Sequence, residues 1–242
     1  MVTDREQTIL EHLTELRERI VKSFLALLVG TIVAMFFTVP ALEFLTAPLG
    51  DKVPQTIYPT ESLLVYFRIA FIGGIAIAMP VLVYQIVAFL LPGLLPEERK
   101  YLYFLIPGVT ICFIAGVLFS ALVMLPAAIN FMQGFLETVV DNRWALDQYI
   151  SFVTRVMFAM GVVFQTPLIL LFLAKIGLVT TDQLRGFRKY AVLLTAVVAA
   201  IITPTPDPLN MALVMGPLYL LYELGVLLVR ITTRRQKTAE AA

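Results

Sequence analysis

YFRIAFIGGIAIAMPVLVYQIVAFLL, Tyr66 to Leu91, is followed at once by PGLLPEERK, Pro92 to Lys100. The first stretch carries one charge, Arg68, in 26 residues, and a bilayer core of roughly 30 Å takes about 20 residues of helix. It reads as a membrane span. The second stretch ends that span, because Pro92 has no backbone donor and Gly93 disfavours helix. The chain then passes to two adjacent carboxylates, Glu97 and Glu98, at the mouth of a bilayer protein.

Working outward, the chain is 60% hydrophobic and 14% charged, far from the balance of a soluble domain. The sequence predicts an all-α membrane protein, residues 1–242 forming a single integral membrane domain. Six transmembrane helices are expected at about 23–44, 66–91, 102–125, 151–173, 190–202 and 209–229. Residues 1–22 form an amphipathic helix ahead of them, in which Ile9, Leu13, Leu16 and Ile20 recur at helical spacing. Residues 230–242 form a polar tail. The fifth helix ends at Thr203-Pro204 after about 13 residues, some 20 Å at about 1.5 Å each, so the fifth and sixth are read as short spans joined by a tight turn. Pro80, Pro107, Pro126, Pro167 and Pro217 bend or fray their helices, and bent spans favour a concave, cup-shaped arrangement.

Lys and Arg set the orientation. With six spans both termini share one side, which holds fourteen of these cations, whereas the other holds Lys52, Arg68, Arg143 and Arg155. The N- and C-termini are therefore expected in the cytoplasm, giving a multi-pass inner-membrane protein, N-in/C-in.

The basic residues are scattered over loops, which argues against nucleic acid. The lone Cys112 lies in an apolar run and reads as a small buried hydrophobe. His12, the single histidine, lies outside the bilayer, and no cluster has metal-ligand spacing. No enzyme chemistry, metal or cofactor is expected.

Polar groups at membrane depth are functional candidates because they are expensive there. Gln165 precedes Thr166-Pro167 and also suits a purely structural role, satisfying backbone freed by the proline. Glu223 sits in the inner half of the sixth span, seven residues before Arg230, where a proton-relay role competes with contact to water or a partner. Asp207, between Pro206 and Pro208, fits a cap on the sixth helix. Glu15 fits a helix-surface ion pair with Arg19 at i,i+4.

Taken in order, these segments resemble the TatC subunit family of the twin-arginine protein translocase. The likeness runs through His12-Leu-Thr-Glu-Leu-Arg17, Thr46-Ala-Pro-Leu49, Pro59-Thr-Glu-Ser62 and Pro80-Val-Leu-Val-Tyr-Gln85. It continues through Phe89 to Arg99, Phe164-Gln-Thr-Pro167, the Thr-Pro-Thr-Pro-Asp207 turn and Leu220-Leu-Tyr-Glu223. Each piece is weak, but their order and spacing are specific. The resemblance implies recognition of twin-arginine signal peptides through Glu15, Arg17, Phe89 and Glu98. It also implies an oligomeric complex with single-span TatA/TatB-type subunits near Pro48, Gln165, Asp207 and Glu223, exporting folded proteins on the proton-motive force. Many family members carry Glu where this chain has Gln165, which speaks against any mechanism needing a charge there. The alternative from another class is a proton-coupled small-molecule transporter with Gln165 and Glu223 as a midplane site.

Arginine chemistry fits the implied role independently. A guanidinium engages a carboxylate with two parallel bonds where lysine offers a point charge, so carboxylates can tell Arg-Arg from Lys-Lys. Exposed ion pairs are worth only about 0.2–1 kcal/mol each, so the signal's apolar segment must add burial at roughly 0.8 kcal/mol per CH₂.

Overall fold

Proline placement decides where the apolar runs stop being single helices. A computed structural model describes the backbone of residues 9–50, 52–90, 96–134, 143–203 and 208–240, with side chains for 11–50, 52–89, 106–134, 143–203, 208 and 211–232. α1 (Ile9–Met35) contains no proline and runs unbroken through Lys22, so the amphipathic segment and the first span are one helix rather than two elements. The chain then breaks at Phe36 and Phe37, and α2 (Thr38–Thr46) leaves at 70°. Pro40 accounts for this. In the first turn of α2 its missing donor is tolerated, whereas in a continued helix its ring would meet the Phe36 carbonyl. The expected first span, 23–44, is thus a bent pair.

α3 (Glu61–Leu90) begins five residues before the expected position. α4 (Pro96–Phe119) widens into a π-turn, Ser120–Met124, and continues as α5 (Leu125–Gly134), well past the predicted end at Leu125. The wider turn lies immediately ahead of Pro126, where a regular ladder would lose a bond. α6 (Leu146–Val163) and α7 (Thr166–Lys175) are separated at Phe164-Gln165 by Pro167. α7 ends in a Schellman motif: Leu178 N donates to Leu173 O at 3.0 Å and Gly177, at φ 76°, donates to Ala174 O at 3.2 Å. α8 (Thr181–Gly186) opens on a capping box between Thr180 and Gln183 and leads into α9 (Arg188–Ile202).

α10 (Pro208–Glu240) corrects two expectations. The sixth helix is not short, and residues 230–240 are not a separate tail. No glycine or proline follows Gly225 within the helix, and Arg, Gln, Lys, Ala and Glu are good helix formers, so the helix outlasts the apolar run. Among the described residues, Glu61–Phe89, Ile106–Gly134, Leu146–Lys175 and Met211–Thr232 are long and apolar enough to cross a bilayer, and the bent α1–α2 pair brings the number to five. α9, with 15 residues, spans about 22 Å at 1.5 Å per residue. It is short, as its sequence predicts.

α1 packs on α3 at a backbone-to-backbone crossing. A Cβ on Gly74 would lie 2.6 Å from the Thr31 backbone, and one on Gly30 would lie 2.6 Å from Gly74 O. The small residues Ala70, Gly74 and Ala78, one turn apart on α3, are all buried.

The two ends of the molecule differ. At one, Gln55 N donates to Trp144 O (2.8 Å) and Leu146 N to Gln55 O (2.9 Å), joining the segments ahead of α3 and α6. Arg68 meets Asp147 at 2.7 Å, and the Tyr149 hydroxyl donates to Leu45 O at 2.6 Å. Beneath this bridged end lies the main core, including Val65, Ile129, Ile150, Val153 and Met160. The other end, with the start of α1, the end of α3 and the first turns of α9, rests on two small clusters around Tyr222 and Val226, and around Val83 and Val87.

Candidate functional site

The first turns of α1 meet the last turns of α3 through His12, Glu15 and Arg19, while Glu11, Arg17 and Glu18 stay exposed. Leu13, Ile20 and Phe24 are 55%, 59% and 62% exposed, while Glu15 and Arg19 are each 21% exposed. The outward face is thus a mixture of apolar and charged groups, unlike that of a soluble amphipathic helix.

Arg19 Nε donates to Glu15 Oε1 at 3.0 Å, its Nη2 bonds the same oxygen, and its Nη1 reaches Gln85 Oε1 on α3 at 3.4 Å. The i,i+4 pairing expected for Glu15 is therefore present, but it extends to a second helix. Glu15 Oε2 is buried and accepts no hydrogen bond among the described residues, with His12 Nδ1 3.9 Å away. The His12 ring stacks on Phe89 at 4.4 Å between centroids, 21° from parallel. His12, Glu15, Arg19, Gln85 and Phe89 thus form one constellation at the mouth of α3. Arg17, two residues from Glu15 and from Arg19 and on the opposite side of the helix, is exposed. Glu97 and Glu98 belong to α4, and their side chains lie outside the described residues.

The other candidates sit apart. Gln165 is 8% exposed, and its Nε2 donates to Gly161 O (3.1 Å) and Val109 O (3.2 Å). At the α6–α7 break Gln165 N turns to Val162 O, so the side chain serves the Gly161 carbonyl that a regular ladder would give to that N–H. That is the structural role read from Pro167, now with a second helix attached. Glu223 accepts from Arg188 Nη2 at 2.7 Å and from the Tyr219 hydroxyl at 2.9 Å. That hydrogen bond and the adjacent charge raise the Arg188 guanidinium above its ordinary range. Among the described residues no hydrogen bond or ion pair joins Gln165 to Glu223. Pro48 opens the short turn Ala47–Leu49 after α2, beside buried Leu49. Asp207 lies outside the described residues.

Sequence reasoning passed over Gln85 and His12 as members of the site. Gln85 had a usable signal, a primary amide inside an apolar span. His12 had none, because a stacking partner 77 positions away leaves no local pattern.

An apolar cavity of about 300 Å³ opens between α1–α2, α3, α4 and α6, with Phe37, Phe44, Ile72, Phe113 and Met157 in its wall. The hydroxyls of Thr38 and Thr154 there are spent on Ala34 O and Ile150 O. The cavity offers apolar surface and no charge.

Comparison with known proteins adds the following. The family model described as Sec-independent protein translocase protein (TatC) matches residues 11–217. The chain is 36% identical over 238 residues to Sec-independent protein translocase protein TatC of Aquifex aeolicus, covering 96% of this chain and 98% of that protein. It is 38% identical over 234 residues to the chloroplastic TATC of Pisum sativum, covering 96% of this chain and spanning 66% of the pea protein's length. A crystal structure described as twin arginine translocase receptor TatC superposes with a TM-score of 0.80 at 36% identity, covering 92% of this chain and all of that one.

Proposed function

Because this chain belongs to the TatC family of Sec-independent protein translocase proteins, we propose that it is the subunit that recognises twin-arginine signal peptides at the cytoplasmic face of the inner membrane. It acts with single-span TatA/TatB-type partners to export folded proteins on the proton-motive force. In this reading the chain crosses the bilayer six times, N-in/C-in, as a cup. One observation carries the proposal: Glu15 is held against the end of α3, next to the His12–Phe89 stack, with one carboxylate oxygen unspent among the described residues.

A signal arginine meets Glu15, and a second meets Glu98 on α4, with Arg17 flanking. The apolar segment of the signal then lies along the outward Leu13 and Ile20 of α1, whose exposure supports this role. Partner helices dock at the short α9, near Gln165 and Glu223, with Pro48 and the Asp207 turn marking the opposite side of the membrane. The transporter reading gains no observation, since Gln165 and Glu223 each bond elsewhere and neither lines the apolar cavity.

The test is binding of a synthetic peptide, two arginines followed by an apolar run, to the purified protein in lipid nanodiscs. Binding that falls when both arginines become lysine is expected. Equal binding of both peptides, or none of either, refutes the assignment.

A further inference from the structure

The Glu15 carboxylate already holds a guanidinium, and it is the protein's own. Arg19 converges two N–H donors, from Nε and Nη2, on the single oxygen Oε1, without the parallel two-oxygen pairing that a guanidinium fork can make with a carboxylate. Both side chains are four-fifths covered, so the pair is less screened than a surface ion pair. Arg19 also has a second acceptor in place, Gln85 Oε1 at 3.4 Å from Nη1. Gln85 is itself buried on α3, and it does not depend on Glu15. The His12–Phe89 stack lies alongside, with His12 Nδ1 3.9 Å from the unspent Oε2.

We propose that Arg19 is an internal occupant of the Glu15 site, and that signal binding is an exchange in which an incoming guanidinium displaces Arg19 toward Gln85. The inference rests on the reading of Glu15 as a signal contact. The exchange conserves charge and nearly conserves hydrogen bonds, so Arg19 acts as a threshold. It lowers the affinity of every cationic ligand for Glu15 by the same factor, while the carboxylate's geometry sets the preference for arginine over lysine. Without Arg19 the carboxylate would hold both kinds of cation more tightly, with the same preference between them.

The test uses the full chain in nanodiscs with the twin-arginine peptide and its twin-lysine counterpart. Arg19→Gln should tighten both by about two- to fivefold, the range of one partly exposed ion pair, leaving the arginine-to-lysine affinity ratio unchanged. Arg19→Lys, which retains the charge and the i,i+4 pair but not the fork, should fall between wild type and Arg19→Gln. This second variant also keeps the test decisive should the glutamine form fail to fold. In a Glu15→Gln background, Arg19→Gln should change nothing. Weaker binding by Arg19→Gln would overturn the proposal, because it would make Arg19 only a support that orients Glu15. Tightening that persists without Glu15 would overturn it too, because general charge repulsion would then be the cause. Should wild type bind neither peptide, the reading of the site falls and the exchange falls with it. Should wild type bind and Arg19→Gln match it, only the exchange is refuted.

Discussion

The two ends of this molecule use the same kinds of residue to opposite effect. At the bridged end Arg68 and Asp147 join the first turns of two different helices, with Asp147 bonded through both its side chain and its carbonyl, directly over the largest apolar cluster. At the other end Arg19 and Glu15 are neighbours on one helix, and among the described residues the carboxylate keeps a free oxygen and the apolar clusters are small. A cross-link between elements stabilises position. A local pair with unspent capacity leaves something to exchange. Under the proposed function, stability falls to the bridged end and recognition to the other.

The strongest way to break that contrast is to damage the core beneath the bridge. Ile150 is fully buried, and Ile150→Ala should cost about 2–4 kcal/mol, read as a lowered thermal unfolding midpoint, with peptide affinity of the folded fraction unchanged. Lost affinity at unchanged stability would reverse the assignment. Next in size is Glu15→Arg, which should reduce twin-arginine peptide binding by at least about tenfold, or 1.4 kcal/mol, and more than Glu15→Ala, while unfolding stays near wild type. Wild-type crosslinking of peptide by both variants would remove Glu15 from the site.

Tyr149→Phe is a finer test. It strips Leu45 O of a buried donor and should destabilise by about 1–2 kcal/mol with no change in peptide affinity. The smallest effect is expected at Glu223→Gln, which removes the charge partner of a half-exposed Arg188. The raised guanidinium keeps its proton throughout the physiological range, since a value raised in the folded state contributes fully below the unfolded one. Stability of wild type and variant should therefore show no pH-dependent difference arising from Arg188 between neutral and mildly acidic pH. A large loss of stability would instead make this pair a structural strut of the end opposite the bridge.

The helical membrane class, α3 and the shortness of α9 were legible because an apolar run between breakers reports bilayer depth directly. The ends of the helices were not. Hydropathy locates the membrane and not the helix, so α10 continues eleven residues past the expected Val229, and α5 carries the third run nine residues past Leu125. The bend at Phe36-Phe37 was written in Pro40, whose effect falls four residues upstream of itself. Of the site, Glu15 and Phe89 were legible through family resemblance, and the Glu15–Arg19 pair through helical spacing. Gln85 joins it only through the antiparallel packing of α1 on α3 at Gly30 and Gly74, a contact between distant segments that no local pattern encodes.

The most direct test of the division between the ends is photo-crosslinking from one exposed position at each. Leu13 and Tyr58 are 55% and 66% exposed, so each can carry a photoreactive side chain without entering the core. With a twin-arginine peptide and protein in membranes, the account predicts adducts from position 13 that excess unlabelled peptide abolishes, and none from position 58. Adducts from position 58 equal to or stronger than those from position 13 would contradict it.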